Sequence, residues 1–169
     1  MKRIFYLAAV ITLVSAPAWG DELYIGLTVS GKSGEPDFDE QRPAITAAYE
    51  AKKTWRISYA SGDYEHVGGK VGLDTTIIGV ERMFIYEMGK SIYLIGSFGP
   101  ALFNATISTD TSSEKGSAVG LLATGNFRVY LSDAFFDLGY HYRNAAVIID
   151  SSSFNGGYEG PVLGMGLAF

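Results

Sequence analysis

The sequence predicts an all-β chain, an eight-stranded antiparallel up-and-down transmembrane β-barrel. Three observations carry that expectation. Apolar and polar residues alternate with the two-residue period of a strand in segment after segment. Tight turns and long polar loops take turns between those segments, and the mature chain contains no helix-compatible apolar run. The composition fits: 169 residues carry 21 glycines, 11 Tyr, 10 Phe and 2 Trp. Charged residues are 18% of the chain, below the roughly 25% of soluble domains. With no cysteine, disulfides and Cys-type zinc sites are excluded. A net charge of −5 argues against a nucleic-acid partner, which calls for a basic footprint.

Residues 1–20 read as a cleaved signal peptide. Lys2 and Arg3 form a positive start, Ile4–Val14 an apolar core, and Ala18 and Gly20 supply small residues before a cut at Asp21. That core is too short to span a bilayer, which takes roughly 20 apolar residues. The mature chain, 21–169, is then one outer-membrane barrel domain. Losing Lys2 and Arg3 takes its net charge from −5 to −7.

Eight strands follow in order: Glu22–Ser30, Arg42–Glu50, Thr54–Ser61, Lys70–Glu87, Ser91–Thr106, Gly116–Leu131, Ala134–Ile149 and Gly157–Phe169. Tyr, Val, Ile, Phe and Thr dominate them, as strand propensity asks. Ser91–Thr109 has no charge, yet Gly96, Gly99 and Pro100 rule out a spanning helix. Ala51–Lys53, Met88–Lys90 and Ser132–Asp133 are tight turns. Gly31–Gln41, Gly62–Gly69, Ile107–Lys115 and Asp150–Gly156 are long polar loops. Long loops on one side and short turns on the other are the asymmetry of outer-membrane barrels, and an even strand count puts both termini on the periplasmic side.

The faces can be assigned. Val119, Leu121, Ala123, Gly125, Phe127, Val129 and Leu131 oppose Gly120, Leu122, Thr124, Asn126 and Arg128. Phe136, Leu138, Tyr140 and Tyr142 oppose Phe135, Asp137, Gly139, His141 and Arg143; Trp55, Ile57 and Tyr59 oppose Arg56, Ser58 and Ala60. Glu81 and Arg82 are adjacent, so one of them breaks the pattern. The polar faces carry Glu50, Arg56, Arg128, Asp137, His141 and Arg143. Eight strands enclose only enough room for side chains, so these charges are expected to pair as a plug and not to line a pore. Tyr49, Trp55, Tyr86, Tyr93 and Tyr130 near the turns, and Tyr59, Tyr64, Tyr140, Tyr142 and Tyr158 near the loops, are candidates for interfacial girdles.

The chain ends Leu163-Gly-Met165-Gly-Leu167-Ala-Phe169. A terminal Phe closing an alternating strand resembles the signal that the barrel-assembly machinery reads, which makes that machinery a partner through Phe169. Across the mature chain the pattern is similar to the small bacterial barrels of the OmpA-domain and OmpX type. That resemblance implies a cell outer membrane, with lipid and lipopolysaccharide around the wall and an extracellular ligand at the loops.

One segment has a catalytic flavour. His141-Tyr142-Arg143-Asn144-Ala145, with Asn155-Gly-Gly-Tyr-Glu159 and Met83-Phe-Ile-Tyr-Glu-Met88, resembles the PagL-type lipid A deacylases, which are also eight-stranded barrels. The resemblance implies His141 as general base and Glu159 as its orienting acid. The nucleophilic Ser, however, is matched by Arg143, which cannot attack an ester. Ser151, Ser152 and Ser153 are nearby hydroxyls that no spacing singles out. By alternation His141 points inward, whereas a deacylase must face its lipid. His66 with Asp63 and Glu65 lacks a convergent third metal ligand, and Asn104-Ala-Thr106 and Gly31-Lys-Ser-Gly are chance motifs. No catalytic residue, metal or cofactor is assigned. The expected function is a non-catalytic surface barrel for adhesion, envelope integrity or ligand contact. A lipid A 3-O-deacylase, possibly degenerate, is the alternative, and a small-solute porin stands behind it.

Overall fold

The computed structural model describes residues 21–28, 32–33, 38–149 and 152–169. The expected signal peptide, residues 1–20, lies outside the described residues. So do Val29 and Ser30 of the first expected strand and Asp150 and Ser151 of the last loop.

In chain order the strands are β1 (Glu22–Thr28), β2 (Lys32–Ser33), β3 (Phe38–Ala51), β4 (Trp55–His66), β5 (Val71–Gly89) and β6 (Ile92–Thr109). They continue as β7 (Ser113–Leu131), β8 (Ala134–Asn144), β9 (Ala146–Ile149), β10 (Ser152–Asn155) and β11 (Tyr158–Ala168). Eight of them, β1, β3 to β8 and β11, form the wall. Each pairs antiparallel with its neighbours, and β1 closes the ring between β3 and β11. β2 fills the same gap further up, with Lys32 opposite both Glu159 and Asp39. Closure gives every wall strand two partners, which a hydrocarbon surround requires.

The tight turns fall where short connections are expected. Lys52, Lys53 and Ser132 adopt positive φ at two of them. The long loops differ from expectation, because the strands run on into them. β4 continues past Ser61 to His66, and the Ser/Thr-rich segment Ile107–Lys115 is mostly ladder, leaving Asp110–Ser112 as the connection. Above the lipid the outer face meets water, so polar residues form strand there without any hydropathy signal. The seventh strand, expected to reach Ile149, stops at Asn144. The chain then breaks at Ala145 and returns as the separate β9–β10 hairpin. Gly157 explains part of this, since a Cβ there would sit 2.0 Å from the Arg143 carbonyl oxygen.

Along the lower wall the exposed face is apolar: Ile25, Leu27, Ile57, Val80, Phe84, Leu94, Phe127, Leu138, Leu163 and Met165 all point outward. Higher up, the pattern inverts. On β5, Leu73 and Ile77 point inward and Asp74 and Thr76 outward; on β6, Phe103 and Ala105 point inward and Asn104 and Thr106 outward. Apolar-out marks a wall in lipid, and apolar-in a wall in water. The outer surface changes solvent between Ile78 and Thr76, Leu102 and Asn104, and Val119 and Ser117. A 19-residue strand such as β7 is about 60 Å long, well beyond a lipid-facing band of about 25 Å even when tilted. This is a closed eight-stranded barrel with a lipid-facing belt and a projecting water-facing rim, at home in a cell outer membrane.

Candidate functional site: the lumen and its mouth

The lumen has two storeys. The periplasmic storey is a charged network of fully buried groups. Arg128 lies at its centre. Its Nε and Nη2 donate to Asp137 at 2.7 and 2.8 Å, its Nη1 and Nη2 to Glu50 at 2.7 and 3.1 Å, and its Nη1 also to Glu22. Its guanidinium stands 3.7 Å from the Phe135 ring centre. Arg56 donates to Glu50 from Nε and Nη2 at 2.9 and 2.6 Å, and from Nη1 to Thr124 at 3.0 Å. Glu81 accepts from the hydroxyls of Ser58 and Ser97 at 2.7 and 2.5 Å. Tyr130 donates to Glu22 at 2.5 Å. Each carboxylate is thus met by several donors, the condition for keeping charge in a dry interior. Of the adjacent pair, Glu81 is the inward residue, while Arg82 lies outside with its guanidinium 5.3 Å from the Trp55 ring.

The extracellular storey holds no ion pair among the described residues. Ala44, Ala60, Tyr64, Leu73, Ile77, Phe103, Ala105 and Leu122 pack there in one apolar cluster. Ala145, Val147 and Tyr158 join them from the chain around the β9–β10 hairpin, which therefore caps the lumen with its own side chains. The sequence reading placed Tyr64 and Tyr158 in the outer girdle. Both are instead buried inside, their rings 6.0 Å apart. Tyr93 and Tyr130 also turn inward, meeting edge to face at 5.3 Å. Trp55, Tyr86, Tyr140 and Tyr142 remain outside.

Between the storeys lie His141 and Arg143. Both are buried in the lumen, with Arg143 Nη2 2.9 Å from His141 Nδ1 and 2.9 Å from Thr46 Oγ1. Glu159 is on the other side of the wall. It pairs in register with Tyr142 and shares the outward face. The wall thus separates His141 from Glu159, and Arg143 occupies the inner position beside the imidazole. Ser152 and Ser153 belong to β10, and Ser151 lies outside the described residues. Asp137, grouped with His141 on sequence grounds, is held by Arg128 and Asn126 in the charged storey. His66 accepts a hydrogen bond from the backbone of Gly68 within its own turn, and no metal-holding group of His, Asp or Glu exists among the described residues.

At the mouth the wall is uneven. The β7–β8 ladder ends at Leu121–Asn144, whereas β6 and β7 remain paired up to Ser108–Ser113. The projecting β4–β5 and β6–β7 hairpins frame an open cleft of about 290 Å³, lined by Asp63, Glu65, Lys70, Ser108, Thr109 and Asp110 among others. Sequence reading found the polar character of these segments but not the cleft, because the strand extensions that build its walls carry no hydropathy signal.

No family model matches the chain, and no curated protein matches it by sequence. Solved structures do match in fold. The crystal structure of Neisserial surface protein A aligns with a TM-score of 0.67 and 14% identity, over 91% of this chain and 100% of that one. The N-terminal β-barrel domain of OprF from Pseudomonas aeruginosa aligns with a TM-score of 0.57 and 12% identity, over 90% and 100%. Ail, the attachment invasion locus protein of Yersinia pestis, aligns with 0.52 and 16%, over 90% and 100%. The chain has the fold of the small eight-stranded outer-membrane barrels.

Proposed function

We propose that this chain is a non-catalytic outer-membrane barrel that acts through its extracellular hairpins, in adhesion, envelope integrity or contact with an external ligand. The observation that carries the reading is the division of labour between lumen and mouth. Buried side chains fill both lumen storeys, while the β4–β5 and β6–β7 hairpins project and frame a polar cleft. Loops held on a rigid scaffold are where binding specificity resides. Fold alone does not assign the partner. Lipid and lipopolysaccharide would surround the belt. Phe169 would serve the barrel-assembly machinery as its recognition end, so its deletion should lower assembly in cells and leave refolding in detergent unchanged. Residues 1–20 would be removed before Asp21.

The test is surface expression of the wild type and of a variant with Thr109–Ser113 replaced by a two-residue turn. Attachment of cells to host-cell and matrix surfaces should fall in the variant while the amount of folded barrel is unchanged. Two further measurements decide the alternatives. Mass spectrometry of lipid A should show no loss of an acyl chain on expression, and planar bilayers should show no steady conductance. A lost acyl chain would favour the deacylase reading, and a stable open channel the porin.

A further inference from the structure

We propose that the middle of the lumen is a binding site for one small inorganic anion of chloride size, held by an unpartnered N–H of the Arg143 guanidinium. Arg143 is the buried lumen arginine without a carboxylate among the described residues. Arg56 and Arg128 both have one. Its Nη2 is used on Thr46 and His141, and its plane lies 4.6 Å from the Tyr158 ring centre. Nε and Nη1 are buried and meet no protein acceptor.

The imbalance is one of donors. A guanidinium only donates, so His141 Nδ1 must accept from it, and the imidazole proton sits on Nε2. Nε2 is itself buried without a partner, as are the hydroxyls of Tyr24 and Thr28. These groups surround one level of the lumen. The Tyr24 ring lies 6.4 Å from that of His141. The Tyr24 hydroxyl lies over Gly26, where a Cβ would be 2.2 Å away. Gly26 is opposite Thr46, the residue that Arg143 reaches, and Thr28 is the next inward residue on β1. Every one of these atoms can give a proton to a bond, and one of them carries a full positive charge. The one buried orphan here that can only accept, Asn126 Oδ1, belongs to the storey below, where its amide donates to Asp137. A water molecule could donate to the Tyr24 and Thr28 hydroxyls, but it would leave the guanidinium charge without a counter-charge. An anion brings acceptor capacity and the missing charge together. The narrowness of an eight-stranded lumen limits the occupant to an ion of one or a few atoms.

Thermal unfolding of the detergent-folded protein should be followed in sodium chloride and in sodium gluconate at equal ionic strength. The expected result is an unfolding temperature that rises and saturates with chloride, with no such rise in Arg143→Met. Crystals of the wild type grown in bromide should give one anomalous peak within hydrogen-bond distance of Arg143. Identical unfolding in the two salts, a chloride response retained in Arg143→Met, or a lumen without the peak would each overturn the proposal. Should Arg143→Met fail to fold, the bromide crystals decide alone.

Discussion

The two storeys of the lumen solve one problem, filling a narrow closed cylinder, with opposite chemistry. The lower storey buries charge and surrounds it with lipid-facing apolar side chains. The upper one buries Leu73, Ile77 and Phe103 and presents Asp74, Asn104 and Thr106 outward. The solvent outside the wall accounts for the difference. In lipid, apolar side chains are already satisfied on the exterior, so burying them in the lumen gains little and polar groups can be kept inside. In water, apolar burial supplies the driving force, and the wall reverts to the pattern of a soluble sheet. The lower storey is thus held by saturation of donors and acceptors, the upper by packing.

That contrast can be broken from either side. The largest effect is expected from Arg128→Ala, which removes the cation common to Glu22, Glu50 and Asp137. Glu50 keeps Arg56, but Glu22 and Asp137 lose their arginine in a dry interior, which should cost about 3–5 kcal/mol, seen as a lower urea midpoint for loss of the folded gel band. Leu73→Ala tests the other storey. It should cost about 2–4 kcal/mol through the cavity it leaves, with no ion pair disturbed. If the two variants lowered the midpoint alike only at low ionic strength, the assignment of packing to the upper storey would fail.

Much of the lower storey could be read from the chain alone, and the reason is periodicity. Arg56, Arg128, Asp137, His141 and Arg143 sit among apolar residues at alternate positions, so two faces separate cleanly. The upper storey was hidden by the same rule. Around Thr76–Ile78 and Leu102–Asn104 the apolar set changes face, so a scan that assumes one lipid-facing register blurs there. Tyr64 and Tyr158 were misplaced for this reason, since a tyrosine near a loop fits a girdle and a capped lumen equally well. Which carboxylate meets which arginine depends on strand register. Glu22 and Arg128 lie far apart in sequence and meet across the lumen, and no local pattern reports that.

A pair of arginine substitutions would sharpen the boundary between the two walls. Leu163→Arg places a charge on the outward face of the apolar belt and should cost about 2–4 kcal/mol in lipid vesicles. Ser117→Arg, outward on β7 above the inversion, should cost close to nothing because its head meets water. The measurement is urea unfolding in vesicles. Equal penalties at the two sites would move the membrane surface above Ser117 and undo the argument for a water-facing rim.

Among the lumen variants the smallest effect is expected where the storeys meet. His141 contributes one acceptor, Nδ1, to Arg143, and packs near the Tyr24 ring. His141→Ala removes that acceptor but leaves Thr46 bonded to the same Nη2, so the loss should be about 1 kcal/mol, a polar contact's worth. Neither the charged network below nor the apolar cluster above includes His141, so urea midpoints of Arg128→Ala and Leu73→Ala should each shift additively with it. Lipid A from cells expressing His141→Ala should match that from wild-type cells in its acyl chains. A wild type that removes a chain, and a variant that does not, would give this imidazole a chemical role its inward position and its separation from Glu159 do not supply.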